Sequence, residues 1–339
     1  EMILRDWSSD VCSSDLMIGA CLSQGRAQTK SAVSYKNPVV DIAMPDPTVI
    51  KAADGYFYVY ATESTRNVPI MKSKDLVEWT YCNTAFTNKT RPRFEPKAGI
   101  WAPDINYING KYVLYYAMSV WGGEQTCGIG VATANSPQGP FTDHGKMFRS
   151  NEIGVQNSID PSLLQYEGRN YLVWGSFRGI YVIELTADGL SIMPGAKKKR
   201  IAGTAFEAVY IHKHGDYYYM FASIGSCCQG VKSTYKVVVG RSKKVWGPYK
   251  DKTGKPMLKN GYSLVIGAND HFVGNGHGSQ IIQDDAGQDW LLYHGFSRST
   301  PENGRILLLD QIKWDQEGWP YVEGGSPSYE TQKAPVFNN

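Results

Sequence analysis

The sequence predicts an all-β protein folded as a five-bladed β-propeller. The 339 residues include 22 Tyr, 9 Trp and 35 Gly, a composition typical of short strands joined by tight turns. A layout of strand, glycine-containing turn and aromatic strand recurs five times along the chain. Each repeat has room for about four strands, which indicates the blades of a propeller rather than the coils of a solenoid.

The five repeats follow one another from about residue 37 onward. Each opens with Asp, Glu or His, continues through a short strand and a turn, and leads into an aromatic strand: residues 46–61, 104–117, 160–174, 207–221 and 277–293. X-Gly turns between alternating strands are strong signals for hairpins. A further β-like segment follows each hairpin. No linker divides the repeats, so we expect a single domain over residues 35–339.

Residues 1–34 are interpreted as a truncated signal or artefactual leader outside the fold. Leu16–Leu22 is typical of the end of the apolar segment of a signal peptide, and Ile18–Cys21 resembles a bacterial lipobox. Acidic residues precede this segment, where a signal peptide carries basic ones. We expect an exported protein that is extracellular, periplasmic or anchored at the cell surface by a lipid on Cys21.

Charge and cysteine spacing narrow the class of protein. The formal net charge is +3 with both signs interspersed, which indicates neither nucleic acid nor an anionic membrane surface as a partner. No apolar run in the sequence is long enough to span a membrane, and we expect a monomer. The six Cys residues show no C-x-x-C spacing, which argues against a structural zinc site. For the adjacent Cys227 and Cys228, reduced thiols and a vicinal disulfide both remain open.

The residues that open the five repeats carry the functional signal. In a propeller the innermost strand of each blade lines a central channel, so equivalent positions of different blades converge there. The residues at these positions are Asp46, Asp104, Asp160, Glu207 and His277. Clustered carboxylates repel one another, and their desolvation costs on the order of several kcal/mol per ion. We therefore expect a functional site rather than a structural one.

Two carboxyl groups on opposite sides of a bound sugar are the minimum equipment for glycoside hydrolysis, one protonated as the acid and the other ionised as base or nucleophile. Glu207 fits the acid, because its apolar neighbours solvate a charge poorly and favour the neutral form. Asp46 and Asp160 each precede a proline, which fixes the backbone just after the carboxylate. One Asp-Pro pair is a common turn former, but two at matching repeat positions favour a functional role.

Seven short motifs occur in order within residues 38–325: MPDPTV at 44–49, IWAPD at 100–104, NSIDPS at 157–162, FEAVY at 206–210, GSCCQG at 225–230, GNGHG at 274–278 and GWP at 318–320. In this order they resemble glycoside hydrolase family 43, whose catalytic domain is a five-bladed propeller. The GSCCQG and GNGHG motifs are similar to those of the family's arabinanases rather than its xylosidases.

The resemblance implies an inverting mechanism with three acidic residues. Asp46 would be the general base that activates water, and Glu207 the general acid that protonates the departing arabinosyl oxygen. Asp160 would orient Glu207 and keep its pKa high through the proximity of like charges. Inversion requires the carboxyl groups of Asp46 and Glu207 to lie roughly 6.5–9.5 Å apart, with room for the water, whereas roughly 5 Å would indicate retention.

The resemblance also suggests which residues bind the substrate. Trp101 is expected to be a stacking platform, and Asn157 a hydrogen-bond donor beside the catalytic acids. Gly122 and Ser176 match family positions near the scissile bond. Arg305 is predicted to contact the substrate or to pair with a carboxylate in the channel.

His277 has two interpretations. A lone histidine at the start of a strand is usually a hydrogen-bonded core residue. By resemblance to the arabinanases, His277 and several waters would hold a single calcium-like ion at the propeller centre. The ion would adjust local electrostatics and position Asp46 or the sugar rather than perform the chemistry, and no organic cofactor is expected.

The function predicted from the sequence is endo-acting, inverting hydrolysis of α-1,5-linked L-arabinofuranosyl bonds in the polysaccharide arabinan. One alternative is an exo-acting α-L-arabinofuranosidase or β-xylosidase of the same family. A more distant alternative is a non-catalytic propeller that only binds sugar. The two enzymatic alternatives differ in the products that they release from linear arabinan.

Overall fold

The strands of the protein form five antiparallel sheets arranged in a ring, as seen in a computed structural model that describes residues 33–338. The predicted all-β, five-bladed propeller is confirmed. The predicted leader lies almost wholly outside the described residues, and so do Cys12 and Cys21. Strand β1 (Ser34–Tyr35) pairs with the last strand of the chain, β23 (Gln332–Lys333).

Blades 1, 2 and 3 are four-stranded sheets whose strands follow chain order from the channel outward. Their strands are, in blade 1, β2 (Thr48–Lys51), β3 (Phe57–Tyr60), β4 (Pro69–Ser73) and β5 (Trp79–Thr84); in blade 2, β6 (Gly99–Ile108), β7 (Lys111–Ser119), β8 (Gly128–Ala134) and β9 (Thr142–Arg149); and in blade 3, β10 (Ser162–Tyr166), β11 (Arg169–Trp174), β12 (Ile180–Glu184) and β13 (Lys199–Ala202). One short helix, α1 (Ser150–Ile153), joins blade 2 to blade 3.

Blades 4 and 5 complete the ring. Their strands are, in blade 4, β14 (Glu207–His214), β15 (Tyr217–Ile224), β16 (Lys236–Ser242) and β17 (Ser263–Ile266); and in blade 5, β18 (Phe272–Gly276), β19 (Ile282–Gln283), β20 (Asp289–Ser297), β21 (Ile306–Trp314) and β22 (Pro320–Tyr321). Within residues 33–338, four short 3₁₀ segments lie in the connections, at Gly230–Lys232, Met257–Lys259, Pro301–Asn303 and Glu323–Gly325.

The inner strand of blade 5 differs from its prediction as one continuous strand over residues 277–282. In the structure it is divided into β18 and β19, which both pair with β20. Between them, His277 has a left-handed backbone with φ 50°. This conformation disturbs the regular ladder of strand hydrogen bonds: the inner strand of blade 5 is interrupted there, whereas β6 and β14 accommodate a left-handed residue with a bulge.

Apolar side chains pack between neighbouring blades. Tyr60 of blade 1 and Tyr116 of blade 2, for example, share one cluster with Phe86. Five clusters of this kind alternate with the five blades around the ring. The second strand of blade 2, β7, is buried at every residue after Lys111, because the apolar clusters on both sides of the blade cover its two faces. The density of Tyr and Trp in the sequence therefore belongs mainly to the core.

The ring closes between blades 5 and 1 through the segment that precedes blade 1. Asn37 is buried and forms a two-way hydrogen bond with the backbone of Leu309, through its Nδ2 and Oδ1 atoms. The backbone N–H of Val39 donates to the carbonyl of Leu307. The N-terminal segment is thereby attached to the last complete strand of blade 5. Among the described residues, no helix has the length and apolar character needed to cross a membrane.

A single carboxylate fills the centre of the channel. Asp104 is fully buried and accepts a hydrogen bond from one residue of each blade: Thr48 Oγ1 (3.5 Å), Asn106 Nδ2 (2.7 Å), Leu163 N (2.7 Å), Tyr210 Oη (2.5 Å) and Gln280 Nε2 (3.1 Å). We call this arrangement the Asp104 hub. Burial raises the pKa of Asp104 to about 6, although the hydrogen bond from Tyr210 and those of the other donors lower it. The hub joins all five inner strands below the channel mouth.

Candidate active site

Every inner strand approaches the channel mouth through one residue with a left-handed backbone. These residues are Asp46 (φ 54°), Ala102 (φ 42°), Asp160 (φ 55°), Ala208 (φ 52°) and His277 (φ 50°). Left-handed conformations are uncommon for residues other than glycine and cluster at functional sites. In blades 2 and 4 the conformation coincides with a bulge, because the pairing register shifts just after Trp101 and after Glu207.

This geometry corrects the predicted equivalence of the five opening residues. Asp104 lies two positions after the left-handed Ala102, so it points into the hub and not into the mouth. Glu207 lies one position before the left-handed Ala208. Because successive strand residues face opposite sides, the offset of one position turns Glu207 to a different side of its strand, whereas the offset of two positions carries Asp104 further along its strand and into the hub. Asp46, Asp160 and His277 do occupy equivalent positions.

The channel mouth forms a cavity of about 500 Å³. Its walls contain all nine residues that the sequence predicted for the site: Asp46, Trp101, Gly122, Asn157, Asp160, Ser176, Glu207, His277 and Arg305. Asp46, Asp160 and Glu207 retain only 8%, 8% and 7% of their exposure. Three carboxyl groups are therefore brought into one poorly solvated space, which is where their pKa values should separate.

Asp46 is surrounded by groups that stabilise a negative charge. Arg305 Nη1 lies 2.8 Å from Asp46 Oδ1, and Thr62 Oγ1 donates to Oδ2 over 2.6 Å. The Nδ1 atoms of His277 and His294 each lie 3.3 Å from Oδ1. Burial by itself would raise the pKa of Asp46, but the charges of Arg305 and His277 and the contact with His294 together hold it well below its usual range. Asp46 is therefore ionised.

Glu207 has the opposite environment. Ser176 Oγ donates to Glu207 Oε2 over 2.6 Å, and Asn157 Nδ2 donates in turn to Ser176 Oγ over 2.9 Å. Burial raises the pKa of Glu207 to about 7, with a further increase from the charge of Asp46, while the hydrogen bonds from Ser176 and Tyr235 act against it. At pH values below 7 this carboxyl group is predominantly protonated, in the same cavity as an ionised aspartate.

Asp160 lies next to the backbone of the acid. Its Oδ2 accepts a hydrogen bond from the N–H of Ala208, the residue after Glu207, over 3.2 Å. Burial raises the pKa of Asp160 well above its usual value, and the charges of Glu207 and Asp46 raise it further. The expected repulsion between Asp160 and Glu207 is therefore visible on Asp160, whereas the charge that raises the pKa of Glu207 is that of Asp46.

The rim of the cavity is aromatic on one side. Trp101 and Trp121 pack with ring centroids 5.6 Å apart, and Trp121 is 79% exposed. On another side, Cys227 and Cys228 form a disulfide, which decides between the two interpretations of this pair. Exposed indole faces are suited to stacking on the apolar faces of sugars, and Trp121 is the most exposed of the large apolar side chains at this rim.

The known proteins that resemble this chain are consistent with this arrangement. The profile of glycosyl hydrolases family 43 matches residues 35–320, which is most of the chain. The chain belongs to glycosyl hydrolases family 43. The predicted family is thus confirmed, and the protein is a glycoside hydrolase, as the sequence indicated.

Two relatives from this family have long matches to the chain. The extracellular endo-α-(1→5)-L-arabinanase 1 of Bacillus subtilis (strain 168) is 37% identical over 290 residues, covering 81% of this chain and 86% of the relative. The extracellular exo-α-(1→5)-L-arabinofuranosidase ArbA of Cellvibrio japonicus (strain Ueda107) is 36% identical over 307 residues, covering 82% and 86%.

A solved structure supports the same family. The α-L-arabinanase of Cellvibrio cellulosa, solved in complex with arabinohexaose, superposes with a TM-score of 0.76 at 34% identity, covering 85% of this chain and 98% of that one. The similarity extends over nearly the whole propeller of both proteins.

Sequence reasoning missed three residues that contact Asp46 or Glu207 in this family 43 protein. Thr62 donates to Asp46 and is itself held by the N–H of Ala102. His294 accepts a hydrogen bond from the backbone N–H of Asp46 over 3.0 Å. Tyr235 is buried beside Glu207 and stacks on His294. Tyr235 lies five residues after the GSCCQG motif at 225–230, whereas Thr62 and His294 lie in none of the seven motifs.

The candidate metal ligands lie in two places. At the mouth, His277 directs Nδ1 towards Asp46. Elsewhere, within residues 33–338, one group of three metal-ligating side chains is close enough to hold an ion: His212, His214 and Asp289. The site predicted at the propeller centre has one candidate protein ligand, His277, whereas the group of His212, His214 and Asp289 has three.

Proposed function

We propose that the chain is an exported, inverting hydrolase that cleaves internal α-1,5-linked L-arabinofuranosyl bonds of arabinan. The observation that carries this proposal is the pair of opposite protonation states in one cavity, with a pKa of about 7 for Glu207 and a pKa well below the usual range for Asp46. An inverting glycosidase needs one protonated and one ionised carboxyl group on opposite sides of the scissile bond.

In the proposed mechanism, Asp46 accepts a proton from a water molecule as the water attacks the anomeric carbon. Glu207 donates its proton to the departing glycosidic oxygen, so the bond to that oxygen breaks as the bond to water forms. Arg305 keeps Asp46 ionised. Ser176 fixes the orientation of Glu207 and is itself fixed by Asn157. Asp160 positions the acid through the backbone of Ala208 rather than by touching the reacting atoms.

Endo action is supported by the resemblance to the Bacillus subtilis relative and by the aromatic rim. Trp101 and Trp121 offer a stacking surface beyond the three acids, where further sugar units of a polysaccharide would lie. The Cellvibrio japonicus relative, at 36% identity, favours exo action as the second candidate. A β-xylosidase and a non-catalytic sugar-binding propeller remain further alternatives for the test below.

The calcium-like ion beside His277 also remains a proposal. A histidine that ligates a metal usually directs its other ring nitrogen to a carboxylate, and His277 does so towards Asp46. The other ring nitrogen of His277 and several waters would hold the ion, and Asp46 on the Nδ1 side would be the carboxylate that orients the imidazole. Such an ion would supply positive charge near Asp46.

Export is supported by the Bacillus subtilis and Cellvibrio japonicus relatives, both of which are named as extracellular enzymes. The domain boundaries at residues 34 and 35 and the monomeric state also stay proposals. The described strand β1 begins at Ser34, close to the predicted boundary.

The deciding experiment is a product analysis on linear arabinan with the full chain. We expect oligosaccharides of mixed length at the earliest times, because endo cleavage produces them before arabinose accumulates. If arabinose alone, or oligosaccharides of one length, were released at the earliest times, the proposed endo action would be wrong and exo action would take its place. Proton NMR of the first product should show the β-anomer, and an α-anomer would contradict inversion. Cleavage of xylan oligosaccharides alone would favour the xylosidase, and no cleavage the sugar-binding propeller.

A further inference from the structure

Two histidines and an aspartate form a compact group away from the catalytic cavity. His212 and His214 are two residues apart on β14, so their side chains leave the strand on the same face. Asp289 begins β20 of blade 5. The potential ligand atoms of the three side chains all lie within 4.8 Å of one another. The group therefore connects two neighbouring blades.

This group is separate from the active site. Glu207 is the first residue of β14 and His214 the last, so the two ends of that strand lie roughly 23 Å apart at about 3.3 Å per residue. On β20, His294 contacts Asp46 whereas Asp289 lies at the opposite end of the strand. The group consequently belongs to the end of the propeller that faces away from the catalytic mouth.

Surrounding side chains hold the aspartate in a fixed orientation. Asp289 is only 4% exposed, and its Oδ2 accepts a hydrogen bond from Trp314 Nε1 over 2.8 Å while Oδ1 accepts one from Gln283 Nε2 over 3.1 Å. Carboxylates that ligate metals are commonly held by outer hydrogen bonds of this kind. Each oxygen retains a lone pair after accepting one bond, so both remain able to bind a cation.

The same tryptophan orients the histidines. The indole of Trp314 stacks on His214 with ring centroids 3.7 Å apart and an interplanar angle of 8°, and on His212 at 6.2 Å and 21°. Both imidazoles are thereby kept parallel to one plane beside Asp289. Among the contacts of the described residues, His214 Nδ1 lies 3.7 Å from Asp289 Oδ2, whereas His212 has no hydrogen bond.

We propose that His212, His214 and Asp289 bind one divalent transition-metal ion, of which zinc is the representative. Two imidazole nitrogens and one carboxylate oxygen are a donor set that suits zinc, nickel or copper and does not suit calcium or magnesium. A simple ion pair between His214 and Asp289 would leave the second histidine without a role. The side chain of His214 is 37% exposed, so water can reach the group and complete the coordination.

The bound ion fastens blade 4 to blade 5 at the end opposite the active site. It is not part of the hydrolytic mechanism, because its ligands lie at the far ends of β14 and β20. Its test is a binding measurement, so the outcome is independent of whether the proposed arabinan hydrolysis is correct.

The first experiment is calorimetric titration of the tag-free full chain with zinc chloride. We expect one zinc ion per chain to bind at these residues, and His212→Gln and His214→Gln each to weaken that binding at least tenfold. The matched control is His144→Gln, because His144 is an exposed strand histidine that bonds only to Thr133 among the described residues. Equal zinc affinity in the His214→Gln and His144→Gln proteins would overturn the proposal.

The second experiment follows the fluorescence of Trp314, which contacts the proposed ion's ligands directly. Copper(II) should quench the part of the tryptophan emission that comes from Trp314. In the Trp314→Phe protein this part is absent, so copper should quench the remaining emission much less. Zinc added in large excess over copper should reverse the quenching, because copper(II) binds such donors more tightly, whereas the same excess of calcium should not. Quenching that persists in the His214→Gln protein, or that calcium reverses as well as zinc does, would contradict the site. The wild-type measurements need no variant to fold.

Discussion

Asp104 and Glu207 are both buried acids in the same channel, but their carboxyl groups differ in the number of hydrogen-bond donors around them and in their access to the cavity. Burial raises the pKa of Asp104 to about 6 and that of Glu207 to about 7. Asp104, however, accepts hydrogen bonds from all five blades, whereas Glu207 is held by Ser176 and Tyr235 on a cavity wall. The first carboxylate has its oxygens occupied by protein. The second borders a space that a substrate can enter.

The comparison teaches that a raised pKa does not by itself identify a catalytic acid. A general acid has to reach the substrate oxygen with its proton, so it needs an oxygen that is not already surrounded by donors. A carboxylate with a complete set of donors stabilises the structure instead, because its removal leaves several buried polar groups without partners. The number and source of the donors separate the two roles.

The largest effect should follow from Glu207→Gln. The amide has almost the same shape but cannot donate a proton with the required acidity, so the rate on linear arabinan should fall by about 10²–10⁴-fold, the usual contribution of general acid catalysis. Stability should change little, because Ser176 can still donate to the amide oxygen. Initial rates and urea unfolding measure the two effects. Glu302→Gln, at an exposed acid, is the control, and a loss below tenfold would contradict the assignment.

Asp104→Ala should mainly lower the stability of the fold, in contrast to Glu207→Gln, which should mainly lower the rate. It leaves the donors of the hub without their acceptor, and each unsatisfied buried group costs about 1–3 kcal/mol, so the free energy of unfolding should fall by at least about 3 kcal/mol. Urea unfolding at constant pH measures it. The exposed Asp216→Ala serves as the matched variant. If both proteins were equally stable, the hub would not support the fold.

The smallest effect is expected from Ser176→Ala. The Ser176 hydroxyl stabilises the ionised form of Glu207, so its loss should raise the pKa of that carboxyl group above about 7. Because the acid must be protonated, activity is lost as the pH rises through this pKa, and the alkaline limb of kcat/KM should move to higher pH.

The maximum rate of Ser176→Ala should also fall about tenfold, equivalent to one hydrogen bond of about 1.4 kcal/mol. Ser64→Ala, at another residue of the cavity wall, is the control. A pH profile identical to that of Ser64→Ala would show that Ser176 does not tune the acid.

The sequence predicted the architecture and the residues of the site, but it did not predict the backbone register that positions those residues. Hairpin signals and the fivefold recurrence were local, and they sufficed for the propeller and for the convergence of Asp46, Asp160 and Glu207. The pairing register of β6 and β14 at the channel mouth was not predictable from the sequence. It depends on bulges near Asp104 and Glu207, and the residue types there do not specify a left-handed backbone. Because side chains alternate between the two faces of a strand, a shift of one residue in the register moves a side chain to the other face.

Contacts between distant segments account for the other omissions. Thr62 reaches Asp46 from the loop after β3 and His294 reaches it from β20 of blade 5, and neither has a local pattern that marks it. The group around Asp289 likewise joins blades 4 and 5. Side chains that are far apart in the chain meet only after the ring has closed, so reading one segment at a time cannot pair them.

The five left-handed residues at the mouth have a consequence for redesign. Asp46, Ala102, Asp160, Ala208 and His277 share one backbone conformation while carrying three kinds of side chain. The conformational cost is therefore met by the scaffold at every one of these positions and does not depend on the side chain that stands there. At the buried Ala102 and Ala208, as at the two aspartates and the histidine, a change of side chain would therefore meet a main chain that is already in the left-handed conformation.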